Sequence, residues 1–250
     1  MIRLVHAEFV KLRTTQVWFW MLLGALGLSA LVAIGSLAST GGVTTEDDVP
    51  DLFANANGAL ISVLVLGVLG VTTEFRYQTI TPTVLATPSR WILVSAKLIT
   101  YALVGLAYSL LCIGLQLAIA LPWLSAKHID FSLDDPDLRR ALIGLPLVFA
   151  LFAIVGIGTG ALMRNQIVAV TVSLIFLLVV QNLIGVIPGV KRIYPYTPAG
   201  AVTSILYGQD EASPGGVQLL TPAGGVLVLL AWALLPALVG AALSMNRDIT

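Results

Sequence analysis

The chain has 250 residues, of which 58% are hydrophobic and only 10% charged; its mean hydropathy is +0.96 and its formal net charge is zero. Soluble domains run at roughly 45 to 50% apolar and about 25% charged, so the composition excludes one and reads as an integral membrane protein. The absence of a basic excess excludes a nucleic-acid surface, and the single cysteine, Cys112, excludes an intrachain disulfide or a cysteine metal cluster.

Residues 1–16 place Ile2, Val5, Phe9 and Leu12 on one helical face and Arg3, Lys11 and Thr14 on the other, the pattern of an amphipathic helix lying at a membrane interface. An uncharged run follows at 17–38, long enough to cross the roughly 30 Å hydrocarbon core. A cleaved signal peptide is the competing reading. Its apolar core would exceed the usual length, and Glu8 interrupts the basic region.

After an acidic connection (Glu46, Asp47, Asp48, Asp51) the second span is expected at 53–72. Residues 73–97 are polar, rich in threonine and broken by Pro82 and Pro88 into a short helix, a turn and a lead-in to the third span at 98–121. This segment is either an ordinary solvated loop or a docking element for a cytoplasmic partner. Spans four and five are expected at 141–163 and 167–187; with only Arg164, Asn165 and Gln166 between them they must run antiparallel. Residues 194–207 are too apolar for a free loop and too short and broken to cross, which suggests a re-entrant or interfacial helical hairpin. The sixth span is expected at 223–243.

Six spans put both termini on one side. With the termini in the cytoplasm, eight basic residues lie inside (Arg3, Lys11, Arg13, Arg76, Arg90, Lys97, Arg164, Arg247) against five outside, so the positive-inside rule selects this orientation.

Catalytic chemistry is poorly provided for. His6 and His128, the only histidines, fall on opposite sides of the membrane, which disfavours a histidine-pair metal site or a Ser-His-Asp triad. No G-x-x-x-x-G-K-[ST] phosphate loop occurs, so ATP bound by that route must be bound by a partner. No Asp, Glu, Lys, Arg or His falls mid-span, contrary to the habit of ion-coupled transporters. The polar residues within spans include Asn55, Asn57, Tyr101, Tyr108, Gln116, Gln181 and Asn182, each a candidate path residue or an interhelical hydrogen bond. Gly156-x-x-x-Gly160 allows close helix approach, within the chain or between copies.

Glu74, Thr79, Pro88, Arg90 and Lys97, together with Ala7-Glu8-x-x-Lys11-Leu12-x-Thr14, Tyr196-Thr197-Pro198 and the closing Arg247-Asp248, carry a family likeness. On them the whole chain resembles the membrane subunits of ABC-2-type (type V) ABC transporters, bacterial and, with arginine outnumbering lysine nine to four, of actinobacterial character. The family's cytoplasmic loop reads E-x-x-x-G-T, then P-x-R and a later lysine; here Gln78 stands where many members have glycine.

The resemblance implies an all-α membrane protein of six transmembrane helices, with an N-terminal interfacial helix, a cytoplasmic coupling helix between spans two and three, and a re-entrant hairpin between spans five and six. It implies no enzyme activity in this chain. ATP and Mg would be held by two separate ABC ATPase subunits in the bacterial plasma membrane system, and the second membrane subunit would be another copy or a homologue. The coupling element would map onto Glu74, Phe75, Arg76, Tyr77, Gln78, Thr79 and Ile80, with Glu74 and Arg76 pairing with charges in an ATPase cleft. Arg3, Lys11 and Arg13 would contact lipid phosphates or the ATPase, and a small lipophilic substrate would pass Asn55, Asn57, Gln181 and Asn182 between spans two and five of the two copies. A membrane anchor or sensor that docks a cytoplasmic partner through 73–97 without transport is the alternative from a different class.

Overall fold

The structure is a computed structural model that describes residues 1–39, 43–78, 90–129, 132, 134–209 and 216–245, with backbone alone for Arg90 and 241–245. Every regular element among the described residues is helical. Six helical stretches are long and apolar enough to cross a membrane: Val17–Ala38, Glu46–Arg76, Trp91–Lys127, Pro136–Met163, Gln166–Val186 and Pro222–Gly240.

Helix α1 (Ile2–Thr14) precedes the first span, α2 (Val17–Ala38), with only Thr15 and Gln16 between them. The second span is built from several pieces. A 3₁₀ turn, Glu46–Asp48, is held by Thr44 and Thr45 hydrogen-bonding the Asp48 carboxylate; it leads into α3 (Val49–Ala54), a second 3₁₀ turn at Asn55–Ala59, and α4 (Leu60–Arg76). The helical stretch thus begins seven residues before the expected 53 and ends four after the expected 72. Residues 73–76 are therefore the last turn of α4, not a separate short helix. The expected breaks at Pro82 and Pro88, with Thr79 and Ile80, lie outside the described residues.

The third span, α5 (Arg90–Lys127), has 38 residues. At about 1.5 Å per residue it is far longer than the hydrocarbon core, so it projects from it. Helix α6 (Pro136–Met163) begins with the Asp135 carboxylate accepting the Asp137 N–H, and Pro136 sits at its first position, where a missing N–H costs nothing. It turns directly into α7 (Gln166–Ile175) through Arg164, which has φ 53°, and Asn165, whose side chain accepts from the N–H groups of Ile167 and Val168. Span five continues through a π-helical turn, Phe176–Val180, closed by the Gln181 N–H on the Phe176 carbonyl, into α8 (Gln181–Val186).

Between spans five and six lie a 3₁₀ turn, Lys191–Tyr196, and α9 (Pro198–Leu206). Helix α9 has nine residues, less than half of what a crossing needs, yet Ala201 and Ser204 are fully buried. It packs against α6 and the last span, α10 (Pro222–Met245). The apolar pattern of 194–207 is thereby explained: this pair of short helices fills space inside the bundle.

The core is centred on spans two and four. Their most apolar windows are 67% and 72% buried, whereas those of the other four are only 17% to 28% buried. Helix α6 touches α3, α4, α5, α7, α9 and α10. Its tightest contact is with α4: a Cβ on Gly67 would fall on the Ala153 carbonyl and 3.0 Å from Gly156 Cα, and one on Gly160 would lie 2.9 Å from the Val68 carbonyl. Gly156-x-x-x-Gly160 is thus a grip between two spans of one chain.

Candidate functional site

Two polar constellations stand out in an otherwise apolar molecule. The first sits where α1, the end of α4 and the start of α5 meet. Glu8, Glu74 and Lys97 are 3%, 8% and 6% exposed, a burial that charged side chains accept only when paired. The Lys97 ammonium donates to Glu8 Oε2 at 2.7 Å, Glu74 Oε1 at 3.0 Å and the Gly70 carbonyl at 3.0 Å, so all three of its N–H groups are used. Lys11, half-exposed, closes the ring by donating to Glu8 Oε1 at 2.7 Å and Glu74 Oε1 at 2.9 Å. Two carboxylates and two ammonium groups make the cluster neutral.

The local sequence explains how the ring forms. Glu8 and Lys11 are one helical turn apart and therefore neighbours on α1. Gly70 lies one turn before Glu74 on α4; lacking a Cβ, it leaves room for the Tyr101 ring of α5, and a side chain there would collide with that ring. Lys97 lies one turn before Tyr101, with its ammonium 5.9 Å from the ring centroid. Burial opposes the charge on Glu8, but the Lys97 charge and hydrogen bonds from Lys11 and Lys97 outweigh it and hold the carboxyl below its ordinary value. Burial likewise opposes the charge on Lys11; its bonds to Glu8 and Glu74 prevail and raise it.

This geometry divides the expected coupling residues. Glu74, expected to pair with charges in a partner's cleft, is here turned into its own chain and already doubly paired, so bonding a partner would require breaking the ring. Phe75 packs against the core, with the Arg164 guanidinium 5.8 Å from its ring centroid. Arg76 and Tyr77 face outward; Tyr77 is 68% exposed, and Arg76 donates to Gln166 Oε1 at 3.3 Å. Gln78 turns the chain with φ 55°, the left-handed conformation that glycine adopts without penalty. Of the three α1 cations, Lys11 joins the ring, while Arg3 and Arg13 point outward without an ion pair among the described residues.

The second constellation lies at the other end of span two. Asn55 accepts a 2.9 Å hydrogen bond from the Tyr207 hydroxyl, and the Tyr207 carbonyl accepts from Arg140, which also pairs with Asp137. Gln181, 1% exposed, accepts the Ala199 N–H at the start of α9, while its own Nε2 has no hydrogen-bond partner among the described residues. A cavity of about 240 Å³ opens beside it, with Asn57 and Ile61 of span two, Phe152 of α6, Leu178 of span five, and Tyr194 and Thr203 of the short helices in its walls. Of the four expected path residues, Asn57 thus lines the cavity, Asn55 and Gln181 hold the short helices in place, and Asn182 lies on the exposed face of span five with its amide on the Leu178 carbonyl at 2.8 Å.

The pairing of Glu8 with Lys97, 89 positions apart, is not readable from spacing, nor is that of Asn55 with Tyr207. The one local signal was the Glu8/Lys11 pair. Among the described residues no group of three or more His, Cys, Asp or Glu is arranged to hold a metal ion. The chain matches no protein-family profile, no curated protein and no solved structure.

Proposed function

We propose that this chain is the membrane subunit of an ATP-driven exporter of hydrophobic or amphipathic compounds across a bacterial plasma membrane. It acts as a pair with a second copy or a homologue, both termini lie in the cytoplasm, and two separate ATPase subunits bind ATP and Mg. The observation that carries this reading is the charge-locked junction of α1, α4 and α5, directly next to the outward-facing Arg76 and Tyr77.

A machine driven by a separate motor needs a place where force enters without being lost in local bending. Three helices joined by one buried ring of charges move together, and one of them, α4, is also gripped along its length by α6. A push on residues 76–78 is therefore delivered to spans two, three and four as one body. At the far end, the same span two carries Asn57 into the cavity beside span five and α9. Its walls are mainly apolar with a few hydroxyl and amide groups, which suits an amphipathic cargo.

In this reading Arg76 and Tyr77 are the anchors for the ATPase, Arg as a charge partner and Tyr as a large apolar surface with a polar tip. Changing both to alanine should lower recovery of the ATPase encoded with this chain on the order of tenfold or more. The melting temperature of the chain alone should stay unchanged, because both side chains are exposed. Undiminished recovery would remove the docking assignment.

A further inference from the structure

We infer that the outward face of α1 is a binding surface for anionic phospholipid headgroups, which supply the negative charge that Arg3 and Arg13 do not find in their own chain. This inference does not depend on transport. On the side of the molecule where α1 lies, the described carboxylates are Glu8 and Glu74, and the buried ring uses both on Lys11 and Lys97. Arg3, Arg13 and the N-terminal amine are left on α1 without a carboxylate among the described residues, and His6 lies on the same outward face.

The arrangement around the helix selects a membrane as the partner. With Glu8 and Leu12 facing the bundle and the half-buried Val5 beside them, Ile2 and Phe9 fall about a quarter-turn to one side, and Arg13, His6 and Arg3 follow further round at about 100° per residue. Ile2 is 86% exposed and Phe9 38%, which is a costly surface to leave in water. Only Thr15 and Gln16 separate α1 from the first span, so the helix cannot leave the bilayer boundary. That span opens with exposed Phe19 and Trp20, aromatic residues of the kind that settle at headgroup level. An apolar side dipping among acyl chains, with arginines above it, matches an anionic interface. A soluble partner would meet the arginines but leave Ile2 and Phe9 unexplained.

The test uses the full chain reconstituted in nanodiscs of phosphatidylcholine and phosphatidylglycerol at three to one, extracted into mild detergent, with retained lipids counted by native mass spectrometry. Retained lipid should be enriched in phosphatidylglycerol, and the enrichment should weaken as salt is raised. Each surface arginine contributes about fivefold in preference for anionic lipid, so Arg3→Gln with Arg13→Gln should remove most of the enrichment. Arg3→Lys with Arg13→Lys should keep it, which guards against loss through misfolding, and Lys191→Gln with Arg192→Gln should leave it intact. Enrichment unchanged in the double glutamine variant would overturn the inference. So would phosphatidylcholine retained in proportion to its supply, or loss of an ATPase subunit in that variant with lipid retention unaltered.

Discussion

Lys97 is the residue on which most of the inner end depends. Its ammonium satisfies two carboxylates from different helices and a backbone carbonyl; the half-exposed Lys11 bonds the same two carboxylates but does not reach Glu8 Oε2. Removing one member of a buried ion cluster costs up to about 3 to 5 kcal/mol, because here two buried carboxylates would be left sharing the single, half-exposed Lys11. Lys97→Met should therefore lower the detergent melting temperature markedly, whereas the same change combined with Glu8→Gln and Glu74→Gln should recover much of the loss. Equal melting of the single and triple variants would contradict the ring. The direction with pH follows from the two shifts. Glu8, held below its ordinary 4.5, adds stability that is present above its unfolded value and lost as pH falls through the lower folded one. Lys11, raised above 10.5, adds stability that is present below its unfolded value and lost as pH climbs through the folded one. Melting temperature should thus be flat from about pH 5 to about pH 10 and drop on either side, a curve that thermal scans across buffers would measure. At this scale the sequence identified Glu8, Lys11, Glu74 and Lys97 individually but assigned Glu74 to a partner. The intrachain pairing was not legible for a physical reason: spacing reveals neighbours on one helix, and the Glu8–Lys97 and Glu74–Lys97 contacts join elements that only tertiary packing brings together.

Among elements, the pairing of α4 with α6 sets the geometry of the rest. Backbone approaches this close require that Gly67 and Gly156 have no side chain. Gly156→Val should force the two spans apart and cost roughly 1 to 3 kcal/mol or more, by the usual penalty of overpacking. The corresponding change at Gly27, where an added Cβ would meet nothing within 4 Å beyond its own helix among the described residues, should leave melting unchanged. Loss of stability at both positions alike would point to a general cost of valine in these helices. The elements themselves were largely legible, since uncharged runs of about 20 residues have few interpretations. Less legible were the edges of span two, because Val49 and Leu52 are core residues placed before the expected start in a helix broken by 3₁₀ turns. The π turn in span five has no sequence signature at all: Phe176–Val180 reads as ordinary apolar helix.

For the molecule as a whole, the structure is a six-span bundle with a buried axis of two spans and four more exposed ones. Its two polar constellations lie at opposite ends of span two. That layout gives the exporter reading its mechanical content: force enters beside Arg76 and Tyr77, passes through helices that move as one, and reaches the cavity edged by Asn57 and the short helices. The count of six membrane-length apolar helices was legible from hydropathy. The cavity did not, because it is formed by residues from five separate stretches that no local pattern connects. The most direct measurement is purification of the chain in nanodiscs with the ATPase encoded with it, scoring subunit ratio and ATP hydrolysis together. The account predicts two membrane subunits with two ATPases and hydrolysis that changes when a lipophilic compound is added. A well-folded chain that retains no ATPase, or a complex whose hydrolysis is indifferent to every lipophilic compound offered, would contradict it.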